Sequence, residues 1–263
     1  MVMMENPRKY GNRPYEVALV HGGPGAAGEM APVAKELSKH FGVLEPLQTE
    51  DSISGQASEL ASILDSETKG PVVLIGHSWG AWLSLILAST RPELVRKLIL
   101  VGCGPFEERY TEGMMKKRLG RLSVNERLEV ASILEGLRGE SSIDNNSAML
   151  RFGKLMSRAD SFAPIASEED VGFSYDIHRK VWGEAEKMRG SGKLLEYARS
   201  IECPVLAIHG DHDVHPYEGV REPLKDVIRD FRLILLERCG HDPWNEKFAK
   251  DRFYEIIRSE TVL

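Results

Sequence analysis

Surplus positive charge is what this 263-residue sequence most plainly lacks. Its 34 Lys and Arg stand against 40 Asp and Glu, a net charge of -6. Without a basic footprint to displace counterions from nucleic acid or to hold an anionic membrane, neither partner is expected. Cysteine is also scarce. Cys103, Cys203 and Cys239 are an odd and small set, which suits reduced thiols and a cytoplasmic location better than a secreted disulfide framework. Residues 1–13 contain no apolar core of a signal peptide. A long lipid-compatible run is missing as well. Gly70–Thr90 has no charged residue, but Pro71, Gly76, His77, Ser78 and Gly80 break it, so it reads as a buried strand, a tight turn and a buried helix. With 24 Gly, 13 Pro and 42% hydrophobic residues, the composition is that of a globular chain and excludes collagen-like and disordered classes.

What is present begins as alternating strands and helices. Tyr15–Val20, Val43–Glu45, Val72–Ile75 and Leu98–Val101 are short apolar runs. Between them, Glu29–Phe41, a stretch capped by Ser52, and Ala81–Ser89 carry apolar residues at helical spacing. Strands this apolar are covered on both faces, so the fold class is α/β with a doubly wound, mostly parallel sheet. From Pro105 to Ser200 the strand pattern is absent and helical patterns replace it, opening with the capping box Ser123-Val-Asn-Glu126. This stretch holds 16 acidic and 16 basic residues, so it exerts little net field, and five of the nine methionines, which suit an adaptable apolar surface. Strand and helix patterns resume with Val205–His209, Val220–Ile228, Leu233–Leu236 and Lys247–Ile257. The expected organisation is one α/β core, residues 1–104 and 201–263, interrupted by an all-helical insertion at residues 105–200.

Chemistry is concentrated in a few glycine-flanked turns. Gly76-His-Ser78-Trp-Gly80 matches G-x-S-x-G between an expected strand and an expected helix, the setting of a nucleophile elbow. Small residues two positions either side of the serine let the turn close, and the Trp79 N–H would face a developing oxyanion. His21-Gly-Gly-Pro-Gly25 follows the first apolar strand, with the Gly23 N–H as the second oxyanion donor. Asp213, in Gly210-Asp-His-Asp213, and His241, in Gly240-His241, each follow a later strand. The order Ser78, Asp213, His241 is that of a nucleophile, acid and base for this elbow. Asp211 competes with Asp213, and the family that these motifs resemble favours Asp213 through its G-x-x-D spacing. His241 would deprotonate Ser78 while Asp213 orients the imidazole and stabilises its charged form.

Taken together, HGGPG and the Gly-His-Ser-Trp-Gly elbow resemble the α/β-hydrolase fold superfamily over essentially the whole chain, and are most similar to its proline iminopeptidase-like branch. The resemblance implies a helical lid, a pocket between lid and sheet for a small-molecule or short-peptide substrate, and no metal or organic cofactor. It also implies lid-region glutamates that hold a substrate's amino terminus; the candidates are Glu168, Glu169, Glu184 and Glu186. Only about 14 residues precede the first parallel strand, so the leading antiparallel strands of the family should be missing or much reduced. The expected activity is cleavage of a small ester or amide through an acyl-enzyme.

Three other readings compete. Gly23-Pro-Gly25-Ala-Ala-Gly28 satisfies G-x-G-x-x-G, and Glu45 ends the next strand where a ribose-binding acid of an NAD-dependent oxidoreductase would sit. His209, Asp211, His212, Asp213 and His215 form a dense group of potential metal ligands, although five groups within seven residues cannot all converge on one ion. A non-catalytic ligand-binding module on the same fold is the third, opposed by an intact serine, acid and histidine.

Overall fold

Apolar side chains alternate across the strands and so generate two cores, one on each side of a central sheet. The computed structural model describes residues 5–138, 144–165 and 172–262. Its strands are β1 (Arg8–Tyr10), β2 (Tyr15–Val20), β3 (Gly42–Glu45), β4 (Val72–His77), β5 (Val95–Val101), β6 (Val205–Gly210) and β7 (Phe231–Leu236), in the spatial order β1-β3-β2-β4-β5-β6-β7. All are parallel except β1, which pairs antiparallel with β3. Among the described residues the leading antiparallel part is the three-residue β1, too short to announce itself by periodicity.

The helices are α1 (Ala31–Leu37), α2 (Ile53–Glu67), α3 (Trp79–Thr90), α4 (Met114–Arg121), α5 (Val124–Arg138), α6 (Asn145–Asp160), α7 (Tyr175–Gly190), α8 (Lys193–Arg199), α9 (Glu218–Lys225) and α10 (Lys250–Thr261). Val17, Leu19, Val73 and Ile75 point to the core shared with α1 and α10, whereas Ala18, Val20, Val72 and Leu74 point to the core shared with α2, α3 and α8. Ser52 caps α2 by accepting from Gly55 N at 3.1 Å. The capping box at α5 closes reciprocally, with Ser123 N donating to Glu126 at 2.9 Å and Glu126 N to Ser123 at 3.3 Å.

Helices α4 to α8 fill the connection between β5 and β6. Leu122, Val130, Leu155, Met156 and Ala159 give this insertion a small core of its own. Its later part joins the main core, through Val181 and Ala185 of α7 and Leu194 and Ala198 of α8. Trp182 of α7 stacks on Trp82 of α3 with ring centroids 6.1 Å apart, and His178 stacks with Trp182 at 6.3 Å. Helices α4 and α8 escape the apolar-periodicity argument because α4 is mainly cationic and α8 has only seven residues. Among the described residues no helix is long and apolar enough to cross a membrane.

Sheet order places β2 beside β4, with Val20 opposite Gly76. Successive crossovers leave in opposite directions here, so the loops beyond β2 and β4 meet at a topological switch point. The approach is close: a Cβ on Gly80 would lie 2.3 Å from the Val20 carbonyl oxygen. Gly80→Ala is expected to destabilise the fold by about 1–3 kcal/mol through overpacking, read as a lower urea midpoint. Gly153→Ala, in α6 with nothing within 4 Å of the added carbon, should instead stabilise by up to about 1 kcal/mol through helix propensity and so raise the midpoint.

Candidate active site

Ser78 occupies the turn from β4 into α3 with φ 51° and ψ -114°. A non-glycine residue in that region is strained by on the order of 1–3 kcal/mol, and neighbouring packing holds it there. Ser78 N donates to the Val101 carbonyl at 2.9 Å. A Cβ on Gly76 would lie 2.2 Å from the Gly80 carbonyl oxygen, so both flanking glycines are sterically required. The Ser78 side chain is partly exposed at the carboxyl end of the sheet. Among the described residues, neither the Trp79 N–H, at the positive end of α3, nor the Gly23 N–H donates to a protein acceptor.

Asp213 and His241 lie beyond the ends of β6 and β7 and are in contact. His241 Nδ1 donates to Asp213 Oδ2 at 2.7 Å. The other oxygen, Oδ1, accepts from His215 N and His215 Nδ1, both at 2.9 Å. Burial opposes charge on Asp213, which is 2% exposed, yet His241 and His215 hold its carboxyl well below the usual carboxylate range. Burial likewise opposes a charged His241, but the facing Asp213, helped by Asp242 and Asp160, raises its pKa above the ordinary imidazole value. For His215 and His209 burial prevails, and their pKa values are lowered despite Asp213.

The insertion grips both of these loops. From α4, Lys117 Nζ donates to the Asp213 carbonyl at 3.2 Å and Arg121 donates to the His212 and Ala159 carbonyls at 2.8 and 2.9 Å. Arg118 makes a bidentate pair with buried Asp160, and the Asp160 carbonyl accepts from His241 N at 3.1 Å. Buried Glu246 accepts from Gly240, Phe162 and Ala163 N–H groups, tying the loop before His241 to the end of α6. Sequence reasoning overlooked this clamp. Its signal was the cationic stripe Lys117, Arg118 and Arg121 within one helical turn.

A second cluster lies under the elbow. Glu29 Oε2 accepts from Gly22 N at 2.6 Å and from His77 Nδ1 at 3.1 Å. His77 Nε2 faces the His241 carbonyl at 3.2 Å and Asp242 Oδ1 at 3.3 Å. Burial disfavours ionised Glu29, but His77 and the Gly22 N–H hold its pKa down to about 2. Asp242 moves up, because burial and the charge of Glu29 outweigh its histidine neighbours. Trp244 packs edge-on against His77 with centroids 4.6 Å apart and is an anchoring aromatic of the second core.

Other candidates fare differently. Asp211 accepts from Cys239 N at 3.1 Å and does not reach His241's ring, so it braces the turn. His212 packs on Phe162. Of the dense ligand group, only Asp213 and His215 converge with His241, their ligand atoms lying within 4.8 Å; both Asp213 oxygens are already engaged by the two imidazoles. His77, His241 and Asp242 form a similar group. Glu45 is fully buried against Tyr10, whose hydroxyl donates to it at 2.8 Å, and a Cβ on Gly28 would meet Arg8, so the G-x-G-x-x-G loop does not present a ribose site. Glu184 accepts from Ile53 N at 2.9 Å and Glu186 from Trp182 Nε1 at 3.1 Å. Glu168 and Glu169 lie outside the described residues. The three cysteines are free thiols, and burial pushes the pKa of each up.

A family model described as the alpha/beta hydrolase family matches residues 17–255. The chain is 29% identical over 240 residues, 86% of its length and 82% of the relative's, to a 2-hydroxy-6-oxo-2,4-heptadienoate hydrolase of Pseudomonas putida. It is 26% identical over 178 residues, 65% of its length and 62% of the relative's, to a pimeloyl-[acyl-carrier protein] methyl ester esterase of Nitrosospira multiformis. Among solved structures it resembles a meta-cleavage product hydrolase from Pseudomonas fluorescens, with a TM-score of 0.63, 21% identity, and coverage of 97% and 92% of the two chains. VinJ gives a TM-score of 0.69 at 18% identity, with coverage of 97% and 93%. Likeness at these identities speaks to the fold.

The Asp213–His241 contact is testable by itself. Histidine NMR titration should place the His241 midpoint above the ordinary value near 6.5. In Asp213→Asn the main raising charge is gone while burial remains, so the midpoint should fall. A His241 midpoint that ignores the Asn substitution would separate the two groups.

Proposed function

Because the chain belongs to the alpha/beta hydrolase family, we propose that it is a cofactor-independent serine hydrolase that cleaves a small ester or amide through an acyl-enzyme. One observation carries the proposal. A partly exposed serine is held at φ 51° on a strand-to-helix turn, in the same loop cluster as a buried carboxylate–imidazole pair. Ser78 Oγ attacks the substrate carbonyl, and His241 accepts its proton through Nε2, the nitrogen that Asp213 leaves available. The carbonyl oxygen, now negative, takes the Trp79 and Gly23 N–H groups. His241 then protonates the leaving group, and water hydrolyses the acyl-enzyme by the same steps in reverse roles.

The insertion acts as the lid in this scheme. Ser174 N donates to the Gly25 carbonyl at 3.0 Å, and His178 Nδ1 lies 3.3 Å from the Pro24 carbonyl, so α7 docks on the loop bearing Gly23. As far as the described candidates Glu184 and Glu186 go, ester chemistry is favoured over aminopeptidase chemistry, because both already hold partners within the protein. Of the relatives' names, a methyl ester esterase points the same way, whereas a 2-hydroxy-6-oxo-2,4-heptadienoate is a keto acid without an ester bond and fits cleavage of a carbon–carbon bond flanked by a ketone. The proline iminopeptidase-like reading rests on HGGPG and the elbow alone.

A fluorophosphonate probe should label the wild type and not Ser78→Ala; a folded wild type that resists labelling would favour the binding-module reading. A panel of p-nitrophenyl esters beside proline and other aminoacyl anilides should show esters turned over faster, and the reverse order would favour the aminopeptidase. Ser78→Ala or His241→Ala is expected to lower kcat by about 10⁴–10⁶, and near-normal turnover in either would remove the mechanism. Catalysis requires His241 unprotonated, so kcat/KM should rise with pH, its midpoint displaced upward from the ordinary histidine value by Asp213.

A further inference from the structure

Three loops must be held in register for a triad of this kind: one bearing the oxyanion donor, one the nucleophile and one the base. In this chain a single carboxylate touches the first two and is linked through one imidazole to the third. Glu29 accepts from Gly22 N on the donor loop and from His77, the residue preceding Ser78. His77 then reaches the carbonyl of His241 and the carboxylate of Asp242. Space at the junction is tightly occupied. A Cβ on Gly22 would lie 2.6 Å from Glu29 Oε2, 2.7 Å from His77 Nδ1 and 3.2 Å from Ser78 Cβ.

The peptide between Gly22 and Gly23 is the part whose orientation matters. Its carbonyl accepts from His21 Nδ1 at 2.8 Å, and buried His21 is fixed at its other nitrogen by Gln48 N at 3.3 Å. In a planar trans peptide, C=O and N–H point in opposite directions. Fixing the Gly22 carbonyl therefore aims the Gly23 N–H away from His21. Turning this peptide would break the His21 bond to its carbonyl, while Glu29 holds the neighbouring 21–22 peptide by its N–H through a charge-assisted hydrogen bond and so fixes the Gly22 Cα from which the donor peptide hangs.

We propose that Glu29, acting through Gly22 and His77, is a positioning residue that sets the oxyanion donor of Gly23 against Ser78 and the His241 loop. The inference rests on the serine hydrolase reading above. Glu29 touches no reacting atom in this scheme. Its contribution is to hold a donor within the small tolerance that a developing oxyanion requires.

The test compares Glu29→Ala, Glu29→Gln and Glu29→Asp by steady-state kinetics on the best ester of the panel, with urea midpoints measured alongside. Glu29→Ala should lose on the order of 10²-fold in kcat with KM nearly unchanged, since the missing interaction serves the transition state. Glu29→Gln keeps an acceptor for Gly22 N and should recover to within about tenfold of wild type. Glu29→Asp keeps the charge but is one methylene too short to span both partners, and should resemble Ala; it also serves if Ala does not fold. Affinity for a boronic acid, which mimics the tetrahedral intermediate, should fall in parallel with kcat. Unchanged kcat in both Glu29→Ala and Glu29→Asp, a loss confined to KM, or a Gln variant no better than Ala would overturn the proposal. A wild type that neither reacts with fluorophosphonate nor turns over esters would instead remove the hydrolase reading beneath it.

Discussion

An ionised carboxylate with almost no exposed surface stands at the end of β6, and much of the surrounding architecture exists to make that tolerable. Left alone, a buried Asp213 would cost several kcal/mol or take up a proton. Two imidazoles prevent this by occupying both oxygens, and the backbone N–H of His215 adds a third donor. The same contacts raise the pKa of His241 and fix which of its ring nitrogens stays unengaged by Asp213. Stability of the carboxylate and orientation of the imidazole are thus one electrostatic arrangement.

From that point outward the helical insertion is part of the scaffold that holds this pair. Helix α4 places Lys117 and Arg121 on the carbonyls of Asp213 and His212, and the Asp160 carbonyl at the end of α6 receives the backbone N–H of His241. Displacing these helices would loosen the acid and base loops together. On the other side, α7 touches the loop bearing Gly23 and stacks Trp182 on Trp82, whose helix begins at the nucleophile. The insertion and the loops bearing Gly23, Asp213 and His241 are thus joined by ring stacking and by hydrogen bonds to backbone carbonyls.

Legibility in the sequence followed the range of the interaction. Strands β2, β3, β4, β5, β6 and β7 were readable because each is a short apolar run between turn residues, and the elbow was readable because its steric needs fall within five consecutive residues. β1 was not, because three residues carry no period. Helices α4 and α8 were missed for related reasons: one is held by cations gripping carbonyls distant in sequence, and the other is a single short run absorbed into a core built elsewhere. Glu29 and Glu246 carried no signal at all. A carboxylate that binds backbone N–H groups seven or 84 residues away looks, in sequence, like any surface acid.

The sequence by itself determined the doubly wound class and the glycines around the turn, since these depend on local periodicity and on contacts within a few residues. Through the family it resembles, it also pointed to Asp213 over Asp211 by spacing. Only the tertiary structure decided that Asp213 faces His241 while Asp211 braces Cys239, that Glu184 caps α2, and that Glu45 is sealed against Tyr10. Those outcomes depend on which strand ends lie side by side at the carboxyl edge of the sheet. Strand order is set by packing across the whole chain, and no single segment contains it.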